Sequence, residues 1–444
     1  MKRNTVQALV FVVFCLLFIF ALFFRTSIAI IVEDLMHEFT IPAAYLGLMS
    51  STFFYAYAAM QMPVGVLCDR IGVRRTVLYF GLLGGVGSLL FASATGVQTA
   101  TWGRLLTGIG TAGVWIPALK YLSLNYRPHI FATLSSIISA VGSFGIILGT
   151  LPLALLVEAK GWRFPFISAS LIMVLLVGVA WFLMKSPAES QQNNKENRRE
   201  GENENTILKE EQISADKTMV SPFWKNPVFW YFALWAFLFY GVLFSFTGLW
   251  GASFLQDTFQ ISRETASTHL LFSSIGVLVG SLSWAIVSDR LLRARRPLLI
   301  AGTCGFLFLW LIIFSLNSYP GGFLTSLLYF SLGTCGMTFI LMFSCTKEYF
   351  PLQTAGAAMG TVNAFMLGGV AVFQGITGYL LDFFQTVSAS AGYRAIFVFY
   401  LAALAVAFVF SLLMPETFPG KTKKSAISGN TAVSVTPDAD GSGE

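Results

Sequence analysis

Three cations stand inside apolar stretches of this chain, and no acid stands beside them. Arg25 follows "FALFF", Arg104 opens "RLLTGIG" and Lys120 closes "WIPALK". A charge within a bilayer is costly and marks function unless it is paired or reaches an interface. A guanidinium can hold a carboxylate or phosphate through two parallel hydrogen bonds, whereas lysine supplies a point charge. The carboxylates Glu33, Asp34, Glu158, Asp257, Glu264 and Asp382 all fall at span ends, none near a centre. A cavity whose only charges are Arg25, Arg104 and Lys120 favours an anion. The expected chemistry is therefore reversible anion binding, anchored by Arg25. The bland alternatives are an Arg25 satisfied by helix carbonyls and a Lys120 that reaches back to the surface. His269 is the buried group that titrates near neutral pH, and its bland reading is polar packing.

These residues need a membrane fold to hold them. Of 444 residues 55% are hydrophobic and 11% charged, with a mean hydropathy of +0.71. Soluble proteins carry about 25% charged residues. A helix crosses a bilayer with about 20 apolar residues. Such stretches are expected at 6–32, 44–67, 76–95, 98–122, 131–157 and 163–184, then at 226–252, 265–288, 297–316, 321–346, 354–381 and 394–414. The first runs longer than a signal peptide's apolar region and reads as a span. Between the sixes lies "ESQQNNKENRREGENENTILKEEQ", polar and expected to be disordered. The organisation expected is a six-helix bundle at 1–185, a cytoplasmic linker at 186–225, a second bundle at 226–414 and a disordered tail at 415–444. Twenty-one Lys and Arg sit in loops and termini on one face, against Lys160, Arg163, Arg263 and Arg394 on the other. That asymmetry accounts for the net charge of +6 without nucleic acid and places both termini in the cytoplasm. The five cysteines form no CxxC pair, so neither disulfide nor metal is expected.

Charge also gathers in "GVLCDRIGVRRT", Gly65 to Thr76. A weaker copy lies 220 residues on, where Asp69, Arg70 and Arg75 map to Asp289, Arg290 and Arg295. Repeated halves suggest two bundles rocking about a shared site. Gly65, Asp69, Arg70, Gly72, Arg74 and Arg75 resemble the signature loop of the major facilitator superfamily. "GRLLTGIG" (Gly103 to Gly110) and the glycines Gly142, Gly145 and Gly149 are similar to its fourth and fifth helices. "FFRTSIAI" resembles the organic anion:cation symporters, although Phe24 stands where they often carry an acid and Thr111-Ala112-Gly113 where they carry another. "FTGLWGASFLQD" is similar to bacterial permeases loosely related to lysosomal dipeptide carriers.

The resemblance implies an all-α polytopic membrane protein with 12 transmembrane helices in two pseudo-symmetric six-helix bundles. It implies that Tyr55, Tyr57, Trp115, Tyr240, Trp250, Asn363 and Gln374 lie on cavity-lining helices. Arg104 is implied in coupling or helix packing. Gly65, Asp69, Arg70, Arg74, Arg75, Asp289 and Arg290 are implied in gating, with Asp69 expected to latch onto a helix N-terminus or an arginine across the bundle. The function expected is secondary transport of a small anionic solute across a bacterial inner membrane. Expected partners are that solute and the bilayer, with protons or a counter-transported solute as coupling partners, and the protein acting as a monomer. Rivals are an exporter of neutral or cationic compounds and a non-transporting sensor. No cofactor is implied. An enzyme is not expected, because GxSxG, HExxH, P-loop and His-acid patterns are missing.

Overall fold

A computed structural model describes residues 3–126, 128–184, 222–385 and 389–418. The expected linker before residue 222 and the expected tail after Phe418 lie outside the described residues. The helices are α1 (Arg3–Thr26), α2 (Val32–Phe39), α3 (Ala43–Ile71), α4 (Val73–Ala92), α5 (Val97–Asn125), α6 (Pro128–Leu148), α7 (Leu151–Lys160) and α8 (Arg163–Leu183). They continue as α9 (Pro227–Ser245), α10 (Gly251–Phe259), α11 (Arg263–Ile286), α12 (Arg296–Ser315), α13 (Gly322–Gly336), α14 (Ile340–Tyr349), α15 (Leu352–Gln385) and α16 (Ala389–Leu413).

Ten described spans are long and apolar enough to cross a bilayer, and α6 with α7 makes an eleventh. α3 has 29 residues, ample for a crossing, and completes twelve. The fifth expected span is broken rather than continuous: α6 and α7 meet at 42°. Gly149 and Thr150 close α6 with short backbone turns. Pro152 then opens α7, where its missing N–H costs nothing.

α1 to α8 form one bundle and α9 to α16 the other. Glycines let the helices of a bundle touch. A Cβ on Gly110 would lie 2.1 Å from the Gly84 nitrogen, which brings α4 and α5 into backbone contact. A Cβ on Gly145 would lie 2.0 Å from the Ile19 carbonyl, so the glycines of α6 pack against α1. The seam between the bundles runs along α3 and α15. The α3–α4 and α11–α12 loops lie on one face, called here the basic face. Gly72 makes the α3–α4 turn in a single residue at φ 84°, a backbone that disfavours any side chain. Arg74 then donates from Nε to the Trp181 carbonyl at 2.9 Å and lies over that indole. In the second bundle, Arg296 donates to the Leu412 carbonyl at 2.7 Å. In each bundle, then, a loop arginine ties its helix to the bundle's last helix.

Candidate functional site

Arg25 occupies the last turn of α1, where the chain tightens into a 3-10 turn at Ser27–Ile30. Its Nη2 donates to the Tyr240 hydroxyl on α9, which places a cation of one bundle against the other. The rings of Phe54, Tyr240 and Phe244 surround the guanidinium at 5.6, 5.3 and 4.9 Å. Tyr240 and Phe244 are one helical turn apart and share a face of α9. Arg25 Nε has no partner, and no ion pair among the described residues includes Arg25. Such a group is charged, held in place and still able to accept an anion.

Arg104 lies one layer behind and is 1% exposed. Its Nη1 donates to the Phe24 carbonyl at 2.7 Å, and the Phe53 ring lies 4.5 Å beneath it. That bond fixes the helix turn that carries Arg25. Gln374 on α15 is fully buried with neither amide atom satisfied, as are the hydroxyls of Ser27 and Ser50. Buried polar groups without partners are rare and mark strain, function or an absent bound species. Helices near the seam are irregular here. Phe246–Trp250 forms a π turn between α9 and α10, and Met337–Phe339 a 3-10 turn between α13 and α14. Irregular backbone at membrane depth is tolerated where protein or a cavity covers it.

The seam is closed at one end only. At the face opposite the loops, a Cβ on Gly47 would lie 2.4 Å from the Gln374 carbonyl, and one on Gly378 would lie 2.6 Å from the Ala43 carbonyl. Ser51 Oγ donates to the Ala371 carbonyl at 2.7 Å. At the basic face, Gly65, Gly356 and Gly360 have open space around them. A cavity of about 560 Å³ lies outside the closed end, lined by Glu33, Trp250, Asp257 and Tyr393 among others. It does not include Arg25. Burial pushes the Glu33 carboxyl up, aided by Asp257 and opposed by Arg263.

Residues 13–374, and in a second alignment 244–437, match the Major Facilitator Superfamily. The chain belongs to that superfamily. It is 23% identical over 408 residues to a probable sulfoacetate transporter of Cupriavidus necator, covering 86% of this chain and 89% of the relative. It is 26% identical over 389 residues to a gentisate transporter of Corynebacterium glutamicum, covering 86% and 81%. Its fold matches the crystal structure of a D-xylose-proton symporter with TM-score 0.73 at 16% identity, over 92% of this chain and 98% of that one. This multi-pass membrane protein is a transporter, not an enzyme.

Some of the transporter's expected site residues meet and others do not. Arg25 and Tyr240 are bonded. Tyr57 stacks on Phe53 with ring centres 6.1 Å apart, beside the Arg104 stack. Trp115 stacks on Phe18 at 4.9 Å. Asn363 is half-buried. Trp250 is 1% exposed, donates to Thr377 Oγ1 at 2.8 Å and borders the outer cavity that does not include Arg25. Tyr55 is exposed. Lys120 lies far from Arg25. Sixteen residues separate it from Arg104 on one helix, about 24 Å along the axis. Its Nζ donates to the Cys68 carbonyl at 3.0 Å and pairs with Asp69. The lysine near the end of α5 thus answers the acid of the loop motif and does not stand beside Arg25.

Asp69 therefore pairs within its own bundle in this conformation, and Gly65 makes no close helix contact. Arg70, Arg75 and Arg290 are exposed. In the second loop, Asp289 pairs with Arg295 at 2.5 Å, and Arg295 also pairs with Glu348 at 2.7 Å. Burial would lower the Arg295 guanidinium's pKa, but hydrogen bonds to Glu348 and Asp289 outweigh it and the shift is upward. His269 is held on both sides, with Nδ1 2.9 Å from Ser326 Oγ and Nε2 3.0 Å from the Tyr319 hydroxyl. Phe54 and Phe244 are not among the residues expected from the sequence to form the site. The helical spacing of Phe244 from Tyr240 was the available signal, but the abundance of phenylalanine hid it.

Proposed function

We propose that this transporter moves a small carboxylate-bearing or otherwise anionic solute by alternating access, with Arg25 as the anchor. The observation that carries the reading is the unpaired guanidinium of Arg25, held at the seam by Tyr240 and ringed by Phe54 and Phe244. Arg104 positions it through the Phe24 carbonyl. Gln374 supplies amide groups for a polar end of the solute, and Tyr57, Trp115 and Asn363 line the path. The relatives named for sulfoacetate and gentisate support an anionic cargo. The excess of loop lysine and arginine supports a cytoplasmic basic face, in a bacterial inner membrane. Residues 1–185 and 226–414 would be the two rocking units, with Gly65, Asp69, Arg70, Arg74, Arg75, Asp289 and Arg290 around the cytoplasmic gate.

Uptake by purified protein in liposomes tests the anchor, using a panel of labelled monocarboxylates, sulfonates and sugar acids beside neutral sugars and organic cations. A charged hydrogen bond is worth about 1.5–3 kcal/mol. Arg25→Ala should therefore lower kcat/KM for the preferred solute by about 10- to 150-fold, with Arg25→Lys between. An unchanged KM in Arg25→Ala would remove Arg25 from the binding site. Preference for neutral or cationic solutes across the panel would favour the exporter instead.

A further inference from the structure

The closed end of the seam holds a contact that the loop motif does not include. α3 begins at Ala43, after Pro42, whose side chain offers no cap. Its first internal bond runs from the Leu46 N–H to the Pro42 carbonyl, so the N–H groups of Ala43 and Ala44 precede the helix ladder. Asp382 on α15 takes both. Ala43 N donates to Oδ1 at 2.7 Å and Ala44 N to Oδ2 at 2.6 Å. The two elements lie 339 residues apart and belong to different bundles.

The position of Asp382 in its own helix sharpens the point. It stands in the last turn of α15, which ends at Gln385. The carbonyl end of a helix disfavours a negative charge, whereas the N–H end of another helix favours it. Asp382 is thus well placed only while the start of α3 lies against it. Gly378, one turn earlier, lets the two backbones come close enough for the bonds to form.

We infer that Asp382 is a positioning residue of the transport cycle, latching the gate opposite the basic face by capping α3 across the seam. Opening that gate breaks both bonds and leaves the carboxylate at the unfavourable end of α15. Losing a helix cap of this kind shifts an equilibrium by about 2- to 30-fold. The role is independent of which solute is carried and of Arg25.

The test is the distance between nitroxides at Thr95→Cys and Ser318→Cys, on loops at the gated face of the two bundles. It uses full-length protein in nanodiscs, with the five native cysteines replaced. Asp382→Ala should raise the ratio of long to short distances by about 2- to 30-fold, and Asp382→Glu should restore most of the short population. Ala43→Pro attacks the latch from the other partner. It deletes one donor at a helix start that tolerates proline, and the extended backbone of Pro42 suits a following proline. It should shift the ratio the same way, whereas Glu264→Ala, an acid of the same face outside the latch, should not. The inference fails if either latch variant leaves the distance distribution unchanged, or if Glu264→Ala moves it as far.

Discussion

The two ends of the α3–α15 seam carry the same kind of surface and stand in opposite states. Gly47 and Gly65 are 18 residues apart, which is five helical turns, so they share one face of α3. Gly378 and Gly360 have the same spacing on α15. The helices run antiparallel, which sets Gly47 beside Gly378 at one end and Gly65 level with Gly360 at the other. The first pair is in backbone contact, and the second faces open space. Each end also has an acid near a helix C-terminus. Asp382 is spent on the N-terminus of α3, while Asp69 is parked on Lys120. The same glycine spacing thus accompanies backbone contact at one end and open space at the other, and the acids take different partners at the two ends.

Substitution at the glycines breaks the comparison most strongly. Gly47→Leu puts a side chain where a Cβ already comes within 2.4 Å of a backbone oxygen. Overpacking costs about 1–3 kcal/mol, so the closed population at that end should fall by about 5- to 150-fold in the nitroxide measurement, with uptake lost in parallel. Gly65→Leu meets nothing in this conformation. It should leave that distance distribution with the present end closed and keep thermal stability within about 0.5 kcal/mol. Transport should nevertheless slow, because the other end can no longer close. Equal effects of the two substitutions on the distance distribution would remove the distinction between the two ends.

The smallest effect is expected at the parked acid. Asp69 is largely exposed, and exposed ion pairs contribute about 0–1 kcal/mol. Asp69→Asn should therefore hardly move the unfolding temperature in detergent, and what change there is should shrink further with added salt. Its transport rate should fall if Asp69 serves the basic-face gate in the alternate state. A large loss of thermal stability would make Lys120–Asp69 a structural brace instead.

Much of the architecture was legible in residue order. Runs of apolar residues announce the spans, because each must cover a fixed thickness of hydrocarbon. The break between α6 and α7 was less plain, since Gly149 and Pro152 look like ordinary packing residues in an apolar run. Arg25 stands out because charge is rare there, while the resemblance only places Tyr240 on a cavity-lining helix. Lys120 misled for the same reason: its charge was visible, but its partner Asp69 lies 51 residues away. Asp382 looked like an acid at a span's outer end, and nothing in its neighbourhood along the chain points to Ala43.

Residue order alone specifies a membrane protein of the major facilitator type, the basic face, and cations rather than acids within the spans. Hydropathy and charge act over a few helical turns, and the chain displays them directly. The docked bundles set which cation meets an acid among the described residues, Lys120 with Asp69 but neither Arg25 nor Arg104, which rings surround Arg25 and which end of the seam is closed. Those outcomes depend on pairings such as Arg25 with Tyr240 and Asp382 with Ala43, 215 and 339 residues apart. They exist only once two separately formed bundles have docked.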